Sequence, residues 1–127
     1  NMRLSFYKRI ASARSDTELT ELKIELIDRF GLLPDAGRHL LAAAGLRLQA
    51  QDLGIRRIEA QEKGGFVEFS EKNHVDPAYL IGLLQNNPKQ YRLDGPSKLK
   101  FICDLTDRTK RIEFIADLLT AFAAHPV

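Results

Sequence analysis

Up to Gly54 the apolar positions recur every three or four residues, and beyond it two segments alternate every second residue. In RLSFYKRIASA (3–13), Leu4, Tyr7, Ile10 and Ala11 share one face with basic residues between them, which predicts a short helix. A second helix starts at SDTE, where Ser15 or Asp16 caps it and Glu18 completes a capping box. It runs to Phe30 and stops at Gly31, expected in the left-handed conformation. Pro34 and Asp35 open a third helix that continues through HLLAAAGLRLQAQDL, with Ala42 to Gly45 as a thin middle suited to close packing.

Past Gly54, IRRIEA and FVEFSE flank Glu62-Lys63-Gly64-Gly65, the signature of a β-hairpin with the glycine pair in its turn. Asp76-Pro77 caps a fourth helix, PAYLIGLLQ, which ends at Asn86-Asn87-Pro88. QYRL and KLKFIC then form a second strand pair, with Leu99 and Phe101 alternating against Lys98 and Lys100. The last helix runs from about Asp107 to Ala124, with Ile112, Ile115, Leu118, Leu119 and Phe122 on one face. No repeat or long linker interrupts residues 1–127. The expected fold is therefore α+β, a single compact domain of five helices packed with two short β-hairpins as a small antiparallel sheet.

The second helix repays plotting at about 100° per residue from Glu18. Leu22, Leu26, Leu19 and Phe30 fall between about 40° and 120°, with Ile27 near 180° and Ile24 near 240°. This predicts an unusually wide buried arc. Asp28, Glu21, Glu25 and Glu18 are confined to the wedge from about 280° to 360°, beside Arg29 at about 20°. Like charges so spaced repel by a few tenths of a kcal/mol per pair, and Asp28 lies at the wrong end of the helix dipole. Three readings follow: solvated acids partly paired with Arg29, a docking ridge for a basic partner, or carboxylates for acid–base chemistry. The last lacks a cleft, a nucleophile and any group that would split the two acid pKa values.

Charge sharpens this picture locally rather than globally. The net charge is only +2, yet residues 1–14 carry four bases and no acid, while residues 15–37 carry six acids against two bases. A hydrophobic share of 44% fits a folded globular chain, and no apolar run approaches the length of a membrane span. With no signal-like opening either, a cytosolic protein is expected. The first residue is Asn1 rather than methionine, as in a piece of a longer chain.

Catalytic signatures are absent: there is no phosphate-binding loop, dinucleotide fingerprint, HExxH or GxSxG. His39, His74 and His125 stand on different elements, and the single cysteine, Cys103, excludes an internal disulfide and is expected to pack as a small apolar residue. Arg92, Lys98 and Lys100 with the basic first helix give an alternative reading as an accessory nucleic-acid-binding domain, with Tyr91 available to stack on a base.

Four blocks, RLSFYKRIASA (3–13), ELKIELIDRFGLLP (21–34), EKNHV (71–75) and YRLDGPSKLKF (91–101), resemble in order and spacing the C-terminal domain of the bacterial transcription-repair coupling factors, the Mfd family. That family consists of large ATP-dependent DNA translocases that displace stalled RNA polymerase and recruit the excision-repair protein UvrA. The resemblance implies a non-enzymatic, autoinhibitory domain that packs on the family's N-terminal UvrB-like module and masks the surface UvrA would use. It implies no cofactor or metal here, since ATP and magnesium belong to motor domains elsewhere, through which the parent also meets DNA. It places Glu21, Glu25, Asp28 and Arg29 at the interdomain contact. Nothing is carried onto Cys103 or the tail DLLTAFAAHPV.

Overall fold

The computed structural model describes residues 2–127. Its described residues form five helices and four strands: α1 (Met2–Ala11), α2 (Asp16–Phe30), α3 (Asp35–Leu53), β1 (Ile55–Gln61), β2 (Gly64–Phe69), α4 (Pro77–Asn86), β3 (Tyr91–Asp94), β4 (Lys98–Ile102) and α5 (Arg108–Ala123). This is the α+β class and element order expected. The chain groups into two compact units, one ending at Leu48 and the other starting at Gln49.

The first unit is helical. Phe6 and Ile10 of α1, Ala13, and Leu19, Leu22 and Leu26 of α2 form its core with Leu33, Ala44 and Leu48. The face of α1 differs from the one expected, because Leu4 is exposed and Phe6 is buried in its place. Phe6 meets Phe30 edge to face, with ring centroids 5.9 Å apart, the arrangement aromatic quadrupoles prefer. Ser15 is the cap of α2, its Oγ accepting the Glu18 N–H at 3.1 Å. The Glu18 carboxylate accepts the N–H of Arg14, one residue before the cap, so both orphan donors are satisfied by a shifted capping box. Gly31 ends the helix at φ 79° and ψ −147°. That is not the left-handed helical well but a region essentially restricted to glycine. Arg47 Nη2 donates to the Ala13 carbonyl at 2.7 Å, tying α3 to the α1–α2 connection.

In the second unit the strands form one antiparallel sheet, in the order β1-β2-β4-β3. The two hairpins join because β2 pairs with β4. Val67, Phe69, Leu99, Phe101 and Tyr91 lie on the buried side, where Phe101 packs on Phe114 of α5 and Phe69 on Phe122. The glycine pair stands inside β2 rather than in the turn: Gln61 pairs with Gly64, leaving Glu62 and Lys63 to make the reversal. A Cβ on Gly65 would collide with the Glu59 carbonyl oxygen.

The C-terminal tail, which carries no sequence signal, is held by backbone bonds. Asp76 N–H donates to the His125 carbonyl at 2.9 Å, Val127 N–H donates to the His74 carbonyl at 3.1 Å, and the His125 ring stacks on Tyr79. Asp76 caps α4 as expected from its place before Pro77, and Asp107 proves to cap α5, its carboxylate accepting the Thr109 N–H at 2.8 Å.

The two kinds of glycine separate experimentally. Gly65→Ala is expected to cost about 1–3 kcal/mol, since backbone must move to admit the methyl group. Gly45→Ala on α3, where a Cβ meets nothing within 4 Å, should be neutral or stabilise by up to about 1 kcal/mol through helix propensity. Urea denaturation of the two variants measures the difference.

Candidate functional site

The acidic wedge of α2 divides into residues the unit uses itself and residues it leaves in water. Glu18 belongs to the cap. Glu25 is half exposed, with Oε1 3.5 Å from Arg29 and Oε2 3.7 Å from Arg9 of α1. Both guanidinium groups also lie over the Phe6 ring, at 5.2 Å for Arg9 and 5.6 Å for Arg29. The basic block of α1 is therefore partly occupied at home, because Arg3 likewise covers Phe30 at 5.2 Å. Glu21 and Asp28 are exposed and make no ion pair among the described residues.

The apolar arc of α2 is narrower than its wheel suggested. Only Leu19, Leu22 and Leu26 are buried, whereas Ile24 is 63% exposed and Ile27 40%. The buried stripe already fills the space against Phe6 and Ile10, so Ile24 and Ile27 are left in water beside the acids. Leu32, in the connection to α3, is 97% exposed. Ile27 and Leu32 join Leu19, Leu33, Leu41 and Ala42 in lining a groove of about 520 Å³. The thin middle of α3 thus opens a groove at Ala42, and Gly45 has no neighbour at the position its Cβ would occupy.

The other candidate positions do not converge. Register sets Arg92, Lys100, Phe66 and Glu59 side by side across the sheet. Lys100 Nζ lies 3.8 Å from Asp94, while Lys98 Nζ sits 4.6 Å over the Phe66 ring. Tyr91 is buried on the opposite face, where it cannot stack on a base, and that burial raises its phenol pKa above the usual value. The aromatic residue of the outer face is Phe66, which the search for a stacking platform missed because the hairpin register was unknown. No group of His, Cys, Asp and Glu suited to a metal occurs among the described residues. Cys103 is a half-buried free thiol 3.9 Å from the Asp104 carbonyl. Asp104 is held below the usual carboxylate range by the Thr106 hydroxyl at 2.7 Å and the Thr106 N–H. Among the described residues no helix is long and apolar enough to cross a membrane.

Comparison with known proteins adds to this geometry. The family model described as the TRCF domain matches residues 1–80, well over half of the chain and inclusive of all three helices around the wedge. The chain belongs to the TRCF domain family. It is 65% identical over 119 residues to the transcription-repair-coupling factor of Escherichia coli (strain K12), covering 94% of this chain and 10% of that protein. The corresponding factor of Haemophilus influenzae is 57% identical over 124 residues, covering 98% of this chain and 11% of that one. This TRCF chain thus spans about a tenth of the length of the curated relatives it matches. Its fold is that of the crystal structure of a C-terminal domain of transcription-repair coupling factor, with a TM-score of 0.70 over 95% of this chain and 80% of that one, at 19% identity.

If Glu21 and Asp28 serve no purpose within the TRCF fold, neutralising them costs nothing. Glu21→Gln and Asp28→Asn are expected to change unfolding free energy by less than about 0.5 kcal/mol, with Asp28→Asn on the stabilising side because it removes a charge from the negative end of the helix. Ser15→Ala, which removes the cap, should cost about 1 kcal/mol. Chemical denaturation of the three variants provides the test; a loss above 1 kcal/mol for Asp28→Asn would mean an internal role.

Proposed function

We propose that this chain is a non-enzymatic, autoinhibitory C-terminal domain of a transcription-repair coupling factor. In this reading residues 1–127 act as one regulatory domain that packs on the N-terminal UvrB-like module of the parent. There they mask the surface UvrA would use until the motor engages a stalled RNA polymerase in the cytoplasm. The parent's ATP, magnesium and DNA chemistry lies outside this chain, of which the mechanism asks no cofactor. The observation that carries the reading is the pair Glu21 and Asp28. A fold that invests Arg9 and Arg29 in neutralising Glu25 leaves these two carboxylates exposed on the same helix, in the matched segment of the family.

A mask has to be held and then released. Roughly 3 kcal/mol of differential contact keeps a two-state equilibrium near 99:1, and that is small enough for a motor cycle to overcome. Glu21 and Asp28 supply attraction for basic groups on the module, and Arg29, already shared with Glu25, extends the contact toward an acid of the partner. Charge reversal should act on the closed state alone. Asp28→Lys in the full-length parent, with unchanged circular dichroism, is expected to raise affinity for UvrA about tenfold, and Glu21→Lys should do likewise. Unaltered UvrA binding by both folded variants would reduce the wedge to solvated surface.

A further inference from the structure

The sheet of the second unit buries one face and leaves the other in water. Side chains alternate along a strand, so residues paired across the sheet share a face. The row Glu59, Phe66, Lys100 and Arg92 therefore points away from the buried Val67, Leu99, Phe101 and Tyr91. On one side of it runs the row Arg57, Glu68 and Lys98, from which Arg57 and Lys98 lie over the Phe66 ring at 5.7 Å and 4.6 Å. On the other side the row Gln61, Gly64 and Ile102 carries no charge and, at Gly64, no side chain. There the face opens into a hollow of about 400 Å³ lined by Lys63, Gly64, Phe66, Arg92, Lys100 and Ile102, with Glu59 and Gln61 at its β1 side. Arg57 and Lys98 take no part in the hollow, so the cations over the ring and the open space beside it belong to different rows.

The charge left uncommitted around this hollow is positive. Glu59, the one acid lining it among the described residues, is paired with Arg57, and Lys100 lies 3.8 Å from Asp94. Arg92 is exposed, and neither it nor Lys63 makes an ion pair among the described residues. From this juxtaposition we infer that the outer face of the sheet binds a single-stranded nucleic acid, with one base on Phe66 over Gly64 and the adjoining phosphates on Arg92, Lys100 and Lys63. Stacking on an aromatic ring accepts any base, because every base has a π-face. Phe66 provides the ring and the bare backbone of Gly64 the space beside it. A duplex is the wrong occupant, since its bases are stacked on one another and offer no face to Phe66. An acidic peptide would satisfy the cations but bring no base to the ring and the glycine floor. The sheet surface lies in the second unit, so this goes beyond the docking of α2 and does not rest on it. It adds a binding surface and no motor chemistry.

The test is fluorescence anisotropy of this chain with labelled oligothymidylate and oligouridylate, titrated with salt from about 50 mM upward. Binding is expected with a slope of log affinity against log salt near about −2, from three phosphate contacts at about −0.7 each. Phe66→Leu keeps an apolar side chain and removes the ring, and should weaken binding about tenfold. Arg92→Gln, at an exposed position, should weaken it several-fold and flatten the slope by about 0.7. Lys8→Gln, which removes an exposed cation of α1 in the other unit, should bind as the unaltered chain does. A preference between the two oligomers names the strand as DNA or RNA, and either supports the inference. Absence of binding to both at low salt would overturn it, as would a duplex that competes as well as a single strand. Equal losses in Lys8→Gln and Arg92→Gln would reduce the binding to general basic charge, and displacement by polyglutamate would give the face to an acidic peptide. Unchanged affinity in Phe66→Leu would remove the stacking platform; if that variant does not melt as the unaltered chain does, Arg92→Gln and its salt slope decide alone. None of these outcomes bears on the α2 wedge, which is read through UvrA binding.

Discussion

The seam between α1 and α2 is the contact on which the candidate surface depends. Leu19, Leu22 and Leu26 bury one stripe of α2 in a core with Phe6 and Ile10, and Ile10 and Leu26 have almost no exposure. Burying five such side chains removes enough apolar area to fix the rotation of α2 about its axis, at about 1.5–3 kcal/mol for each. Rotation is what matters for the surface. With the leucines inward, Glu21, Ile24 and Asp28 have no choice but to face water, and Glu25 is brought within reach of Arg9. The Arg9–Glu25–Arg29 cluster then sits over Phe6 as a lid on the seam. Its exposed pairs add little energy, but they show which charges are already used.

Periodicity and caps disclosed most of the architecture because they are local properties. Ser15 and Asp76 announced helix starts through their side-chain oxygens, and the alternation in KLKF announced a half-buried strand. Non-local facts were hidden. Nothing in the order of residues says that β2 pairs with β4, that the β1–β2 register places Gly64-Gly65 within a strand, or that the β3–β4 register sets Tyr91 beside the buried Phe101. The helical wheel of α2 overstated its buried arc for a similar reason: it gives the angle of Ile24 and Ile27 but not whether a neighbour stands opposite them. At the candidate site Glu21, Glu25, Asp28 and Arg29 were all legible as one charged wedge. Their division into a home pair and two unpaired acids needed Arg9, which comes from another helix.

Under the proposed function, the division marks out a surface used for reversible contact. A permanent interface would bury the isoleucines behind a broad apolar front. A purely solvated one would pair its acids with lysines at helical spacing. The α2 surface does neither, interleaving two unpaired carboxylates with three exposed aliphatic side chains beside an open groove. Such a mixture yields a contact whose strength is set by a few residues and is easily tuned. In that reading, this is the surface that the N-terminal module of the parent would grip and release.

Side-chain protection in the parent protein is the most direct measurement of this claim. Carboxyl labelling read by mass spectrometry reports Glu21, Glu25 and Asp28 individually, in the isolated chain and in the full-length parent at rest. The account predicts that Glu21 and Asp28 label readily in the isolated chain and are shielded several-fold in the resting parent, with exposed acids such as Asp117 of α5 labelling alike in both. Equal labelling of Glu21 and Asp28 in the two would contradict it, since the surface would then be open in the very state it is held to close.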